Sequence, residues 1–274
     1  MSTPVWLDEL PLEPGPPWLG MGTRNLAPEK WLVADEDHDR DLARKAVVLD
    51  ERHAEVFAAL DTPAVMQASI EVLALVNEAV GHAIGRLDLR PLDLHPLDAA
   101  GRLVQEDLCL MVLRDGAPHL DAASVCSPSY WRLADKLGRP MAAVHGPVAH
   151  YDDELAAKVD TFLQRLRPDR PVWRRNWSIH DDPSAFLPDP TPPYARHAPD
   201  GLYLRSERQT LRRLATAEVV LFTIRTQQVP LSVVAERPDV AHRMAAAIEA
   251  WSPDLADYKG DHGALAARAW LATR

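Results

Sequence analysis

The stretch LCLMVLRDGAPHLDAASVC, residues 108–126, predicts two strands joined by a tight turn. Its first part, Leu108–Leu113, is a short apolar run of the kind found in buried strands. Asp115 and Gly116 follow as turn residues, and residues 119–126 supply the partner strand. We therefore expect a β-hairpin in the middle of the chain.

Helical patterns flank this hairpin on both sides. Apolar periodicity predicts one helix over residues 39–60 and a second over 63–84, with Thr62 as its cap and Pro63 in its first turn. Near the other end, residues 237–251 and 263–273 are predicted as closing helices.

More strands are expected between the hairpin and the closing helices, over residues 172–180, 202–206, 219–226 and 229–234. Ser206 and Gln209 have the spacing of a capping box, which predicts a helix over ERQTLRRL, residues 207–214. Helices, then strands with an inserted helix, then helices indicate an α+β fold with helices packed on an antiparallel sheet. Residues 1–30 are proline-rich and are predicted to form an N-terminal arm on a single domain, residues 31–274.

The bulk composition excludes several classes of protein. The net charge of −10 argues against nucleic-acid binding, which needs a basic face. No stretch approaches the roughly 20 apolar residues of a membrane span, and the N-terminus does not resemble a signal peptide. Cys109 and Cys126 form no disulfide framework and favour a reducing cytoplasm, and they are too few for a self-contained iron–sulfur cluster.

A histidine and a group of arginines carry the strongest chemical signal. His145 ends a short apolar stretch, and Gly146 and Pro147 after it leave room for a flat macrocycle. One axial ligand for iron and cations for two propionates are what a haem requires. The alternative is a histidine whose ring bonds a backbone carbonyl. Competing ligands are His119, His150, His180 and His197, with Cys126 as a thiolate alternative to its role as a buried, inert thiol.

Seven segments resemble the catalytic α subunit of the haem-dependent oxidative N-demethylases. They are QEDLCLM (Gln105–Met111), PSYW (Pro128–Trp131), KLGRP (Lys136–Pro140), VHGPV (Val144–Val148), RNW (Arg175–Trp177), LRSERQTLRRL (Leu204–Leu214) and LFTIRT (Leu221–Thr226). The resemblance spans residues 15–255. It implies a PAS-like antiparallel sheet that holds haem b, with His145 as the iron ligand, and oxidative removal of an N-methyl group from a small amine.

Other side chains are expected to complete this site. Arg205, Arg208 and Arg225 could pair with the propionates, although internal ion pairs would also explain them. Glu207, at the start of the predicted helix, could hold a cationic amine and accept a proton, or could simply cap that helix. Aromatic and amide side chains would line the pocket or belong to the core: Tyr130, Trp131, Asn176 and Trp177.

The predicted function is therefore a haem-dependent oxidative N-demethylase that uses O2 and two electrons and releases formaldehyde. Because the chain lacks flavin and iron–sulfur motifs, the electrons would come from separate flavin or iron–sulfur reductase subunits. A haem-based PAS sensor, a haem enzyme that oxygenates nitrogen, and a scaffold without haem are the alternatives. VHGPVAHY departs from the family pattern after Val148, which leaves the turn beside His145 open to question.

Overall fold

The computed structural model describes residues 3–13, 21–84, 94–144, 153–189, 199–215, 218–253, 255 and 263–274. Within them, seven strands form one antiparallel sheet with helices on both faces, which confirms the α+β prediction. The strands are β1 (Arg24–Asn25), β2 (Phe57–Ala59), β3 (Asp107–Arg114), β4 (Ala117–Ser124), β5 (Val172–His180), β6 (Tyr203–Arg213) and β7 (Val219–Pro230). Their order in the sheet is β1-β5-β6-β7-β3-β4-β2.

The helices of the described residues precede, interrupt and follow the strands. They are α1 (His38–Glu51), α2 (His53–Val56), α3 (Pro63–Ile84), α4 (Pro96–Gly101), α5 (Met141–Val144), α6 (Asp153–Arg165), α7 (Leu231–Ala235), α8 (Pro238–Glu249) and α9 (Ala264–Leu271). The predicted cap of α3 is present, since the hydroxyl of Thr62 accepts from the Val65 N–H at 3.2 Å.

The predicted hairpin is formed by β3 and β4, with Asp115 and Gly116 as its two loop residues. Their φ angles are +54° and +78°, the left-handed conformation that a two-residue hairpin of this twist requires. β7 pairs with the other edge of β3, so the hairpin is joined directly to the long strands that follow it. This pairing places the hairpin within the sheet rather than beside it.

The central strands expose their two faces differently. The closed face, which carries Arg208 of β6 and Arg225 of β7, is buried under α3 and α4 at one end and under residues 3–13 with α7, α8 and α9 at the other. The open face carries half-buried side chains in β5, β6 and β7. Towards β3 and β4 the open face is covered by α5, α6 and Leu133.

Two predicted elements are wrong, and a third ends earlier than predicted. Residues 207–214 belong to the eleven-residue strand β6, because pairing with β5 on one side and β7 on the other outweighs their helical propensity. Ser206 caps no helix there, and its hydroxyl donates to the Asn176 carbonyl at 3.0 Å. Residues 231–235 form helix α7 after Pro230, which has no N–H to continue the strand pairing. The first predicted helix ends at Glu51 and is followed by α2 and β2.

The N-terminal residues 3–13 pack against the sheet and the last helices. Leu7, Leu10 and Leu12 are buried in the cluster that also contains Trp177, whose indole N–H donates to the Pro11 carbonyl at 3.2 Å. The division into an arm of residues 1–30 and a domain of residues 31–274 stays a prediction.

Helix α3 corrects the expectation about membrane segments. Pro63–Gly81 has the length and apolar composition of a membrane span, with a mean hydropathy of 1.3. Its buried stripe of Val65, Ala68, Val72 and Val76 packs in the core against β3 and β7. A single helix of this kind is weak evidence for a membrane, since core helices of soluble proteins share these properties.

Candidate functional site

The open face brings polar residues of three neighbouring strands into register. Asn176 of β5 lies opposite Glu207 of β6, and Glu207 lies opposite Thr226 of β7. Asn176 and Glu207 are half-buried, whereas their neighbours along each strand are buried on the closed face. A carboxylate and an amide at the centre of a sheet, yet still accessible, are characteristic of a site rather than of a core.

Glu207 is held by side chains on the same face. Its carboxylate accepts from the Ser129 hydroxyl at 3.1 Å and from the Gln209 amide at 2.9 Å. The prediction that Glu207 caps a helix is wrong, because Glu207 lies in the middle of strand β6 and no helix start stabilises its charge. Ser129 and Gln209 perform that role instead, and they fix the direction in which the carboxylate faces.

Next to the row of Asn176, Glu207 and Thr226, a second row of paired residues contains both charged and apolar side chains. Arg174 lies opposite Gln209, which lies opposite Ile224, and all three are half-buried. Phe222, two residues before Ile224, extends the apolar part of the open face. On the open face, the apolar side chains of Phe222 and Ile224 on β7 therefore lie beside the polar side chains of Gln209 and Glu207 on β6 and the cation Arg174 on β5.

The guanidinium of Arg205 is bound to backbone carbonyls. It donates to Ser127 at 2.8 Å, to Pro128 at 3.3 Å and to Ala185 at 3.2 Å, and its side chain is 1 % exposed. Burial lowers its pKa, against the raising effect of Glu207 and Asp107. Arg205 thus ties the loop at residues 127–130 to the segment at 184–187, and carbonyl oxygens occupy both of its terminal nitrogens.

Arg208 and Arg225 lie on the closed face, away from Glu207. Arg208 donates to the carbonyls of Lys30 at 2.7 Å and Trp31 at 3.3 Å. Arg225 pairs with both oxygens of Asp35, at 2.8 and 2.9 Å, and with Asp41 at 2.9 Å. Internal pairs therefore explain Arg225, with aspartates of the N-terminal region as its partners. The two arginines hold that region on the sheet.

The PSYW segment borders the open face from one side. Trp131 packs against the cluster beneath α5 and α6, and the Lys136 ammonium lies 4.8 Å from the centre of its indole ring. Lys136 also donates to the Val144 carbonyl at 3.1 Å, which fixes the last described residue before His145. Burial lowers the pKa of Lys136, while the nearby Cys109, Asp135 and Glu207 oppose that shift.

The competing histidines are distributed over the chain. His145, His150 and His197 lie outside the described residues. The ring of His119 contacts the Ala117 carbonyl at 3.1 Å in β4, and the Nε2 atom of His180 lies 2.8 Å from the Ser178 hydroxyl. In the described part of the chain, no three His, Cys, Asp or Glu side chains form a group that could hold a metal ion.

Cys126 is a poor thiolate ligand. It packs with Leu49 and Val56, and Phe186 contacts the same small cluster. Burial raises the pKa of its thiol to about 12. Since only the thiolate binds iron, the expected alternative, a buried inert thiol, describes Cys126 better.

The sequence interpretation missed Ser129, Lys136 and Arg174. Arg174 alternates with Val172 and Asn176 in VWRRNWSIH, so the strand period already placed all three on one face. Ser129 and Lys136 are in loops, where no periodicity reveals which side chains point to the sheet. Their partners become visible only in three dimensions.

The described residues fit a haem, which is flat, apolar and doubly anionic. Phe222, Ile224 and Trp131 supply apolar surface, and the cations Arg174 and Lys136 lie on the same side of the sheet.

The model of one protein family, described as haem-dependent oxidative N-demethylase, alpha subunit-like, matches residues 75–266. This span is more than half of the chain and includes β3 to β7. The description names an oxidative enzyme that depends on haem, and "alpha subunit" indicates an assembly of several subunits. On this match, the chain belongs to the haem-dependent oxidative N-demethylase alpha subunit-like family.

Proposed function

We propose that this chain is the haem-binding catalytic subunit of an oxidative N-demethylase for a small secondary or tertiary amine. O2, two electrons and two protons would convert the N-methyl group into formaldehyde, leaving the demethylated amine and water. The observation that carries the proposal is the accessible pair of Asn176 and Glu207, which lie opposite each other on the open face of the sheet.

Haem b, when bound, supplies the activation of O2. His145 is the residue that we propose would bind the haem iron, because it follows Val144, which packs against the cluster on the open face. Trp131 and Asn176 would line the cofactor. For the propionates, Arg174 and Lys136 suit better than Arg208 and Arg225, whose guanidinium groups are on the closed face. Arg205 would support the site through the loops that it joins.

Glu207 would bind the substrate amine. Small amines are cationic at neutral pH, and a carboxylate both attracts the ammonium and can accept its proton. The Ser129 hydroxyl and the Gln209 amide occupy one oxygen each at 3.1 and 2.9 Å, so the carboxylate keeps one orientation. A fixed orientation limits the positions in which the N-methyl group can lie.

Several wider features support the proposal. β3 to β7 form a continuous antiparallel sheet in which the first and the last of these strands are neighbours, as expected of a PAS-like core. The word subunit in the family description supports electron delivery by separate flavin or iron–sulfur reductase subunits. The acidic surface argues against nucleic acid as a partner, and two buried free cysteines suit the cytoplasm.

The decisive experiment compares visible spectra of the wild type, His145→Gly and His119→Gln after expression with a haem precursor. We expect a Soret band in the wild type and in His119→Gln, and its loss in His145→Gly with recovery on addition of imidazole. Amine-dependent O2 uptake with formaldehyde release would then establish the reaction. A wild type without haem would refute the proposal, and gas binding without amine-dependent O2 uptake would favour a sensor.

A further inference from the structure

Tyr130 has a backbone conformation that its side chain disfavours. Its φ angle is +57°, in the left-handed region that bulky residues rarely adopt. In the described part of the chain, the other non-glycine residue with positive φ is Asp115, whose short polar side chain suits the hairpin turn. A strained tyrosine persists only where its surroundings force it, and such residues are concentrated at functional sites.

The conformation of Tyr130 is imposed by hydrogen bonds between the two loops that Arg205 joins. The Tyr130 N–H donates to the Leu187 carbonyl at 2.6 Å, and the Leu187 N–H donates to the Pro128 carbonyl at 3.3 Å. Arg205 reinforces this bridge from within, because its guanidinium binds carbonyls on both sides of it. A buried arginine with carbonyl partners therefore stabilises the strained turn.

The strain does not serve to bury the tyrosine ring. Tyr130 is half-buried, and its ring stacks on His180 with centroids 5.1 Å apart and planes at 14°. The Ser178 hydroxyl, 2.8 Å from Nε2 of His180, fixes that histidine in turn. The residue before Tyr130, Ser129, donates to Glu207 at 3.1 Å. The result is a supported aromatic ring one residue away from the contact with the site carboxylate.

We propose that Tyr130 is the aromatic wall of a methylammonium subsite in which Glu207 is the counter-charge. One face of the ring is stacked on His180, and the other face would attract a methylated ammonium by cation–π interaction while the carboxylate neutralises its charge. The subsite would favour methylated ammonium over ammonium itself, because methyl groups add contact with the ring. The inference rests on the proposed function, since it specifies how that site selects its substrate.

The test is calorimetric titration of purified holoprotein with tetramethylammonium chloride, with ammonium chloride as the comparison. Three variants separate the possible causes: Tyr130→Phe keeps the ring, Tyr130→Leu removes it, and Tyr130→Gly removes both ring and strain. We expect Tyr130→Phe to bind the probe within about twofold of the wild type, and Tyr130→Leu and Tyr130→Gly to bind about tenfold more weakly. Tyr130→Gly should melt no lower than Tyr130→Leu, because both lose the ring contact with His180 and only glycine adopts positive φ freely.

Three results would overturn the inference: no detectable tetramethylammonium binding by the wild type, equal binding by Tyr130→Leu, or equal loss in Tyr130→Phe and Tyr130→Leu. The last would assign the effect to the hydroxyl. Probe binding is measured without turnover, so it is independent of the proposed reaction. A haem-bearing wild type with amine-dependent O2 uptake but no effect of Tyr130→Leu would refute this subsite and leave the proposed function intact.

Discussion

Glu207 and Arg208 are adjacent in sequence but lie on opposite faces of the sheet. Glu207 is half-buried on the open face and accepts from Ser129, whereas Arg208 is 7 % exposed on the closed face and donates to the carbonyls of Lys30 and Trp31. Side chains of a strand alternate between its faces, so this separation follows from the strand itself. Substitutions at the two positions should therefore affect different properties of the protein.

Replacing Glu207 should reduce turnover and leave stability unchanged. Glu207→Gln keeps the shape and can still bond Ser129, but it removes the charge that would hold an ammonium and the base that would accept its proton. We expect kcat/KM for the amine to fall about 100-fold and Tm to stay within about 2 °C. Steady-state formaldehyde release and calorimetry measure the two quantities.

Glu218→Gln is the matched control, because Glu218 is an exposed carboxylate that pairs with Arg213 where β6 connects to β7. It should leave kcat/KM unchanged. Equal losses in the two variants would indicate a general effect of protein charge, and full activity of Glu207→Gln would remove Glu207 from the mechanism.

The elements that depend on residues close in sequence could be predicted from the sequence alone. The β3–β4 hairpin follows from an apolar run and Asp115–Gly116, and α3 begins where Thr62 and Pro63 indicate. The capping-box spacing of Ser206 and Gln209 predicts a helix over residues 207–214, but residues 207–213 are instead the second part of strand β6. Their strand conformation depends on pairing with β5 and β7, which no local pattern reveals.

The site shows the same limit. Asn176, Glu207 and Trp131 were expected to share a site, and they lie on the same side of the sheet. The prediction grouped Arg208 and Arg225 with Glu207 because it placed Glu207 and Arg208 at a helix start and Arg225 in the neighbouring strand. In a strand, the side chains of consecutive residues point to opposite faces. The partners of these two arginines come from residues 30–41, more than 160 positions away in the sequence.

Arg225 should be essential for stability rather than for haem binding. Arg225→Met removes the cation that lies 2.8 Å from Asp35 and 2.9 Å from Asp41, while Asp41 keeps its pairs with Arg44 at 3.3 Å and Arg40 at 3.5 Å. We expect a loss of about 3–5 kcal/mol in the free energy of unfolding by urea. Burial raises the pKa of Asp35, but Arg225 and Gln105 together lower it by more. The pKa is therefore below its ordinary value, and Asp35 is charged at neutral pH.

A double variant, Asp35→Asn with Arg225→Met, should recover part of that stability, since the Asp35 charge that loses its cation is also removed. Arg213→Met, in the half-buried end of β6, serves as the control and should cost less than about 1 kcal/mol. Loss of the haem spectrum with unchanged stability in Arg225→Met would instead support a contact between Arg225 and a propionate.

Both thiols should resist alkylation in the folded protein. Burial raises the pKa of Cys126 to about 12, and that of Cys109 rises for the same reason, with Asp107 adding to the effect. Iodoacetamide at pH 8 should modify neither cysteine before unfolding and both in urea, as mass spectrometry would show. Cys126→Ser should keep the Soret position of the wild type, and a shifted band would revive the thiolate alternative.

Acid should weaken the protein partly through His95. The Nδ1 atom of His95 accepts from the Leu97 N–H at 3.3 Å and so caps α4, and the ring lies 5.3 Å from that of Phe57. Burial lowers the pKa of His95, although Asp98 opposes the shift. A protonated ring could not accept this bond and would place a positive charge at the helix start.

Because the folded-state pKa is below the unfolded value near 6.5, the unfolded chain takes up the proton first as the pH falls. The contribution of His95 is therefore complete above about pH 6.5 and is lost progressively below it. The urea midpoint of the wild type should drop between pH 7.5 and pH 5, and that of His95→Gln should drop less. Both values are measured against His242→Gln, an exposed histidine on α8. A pH dependence in His95→Gln identical to that of the wild type would mean that other groups cause the acid sensitivity and that the cap of α4 contributes nothing to it.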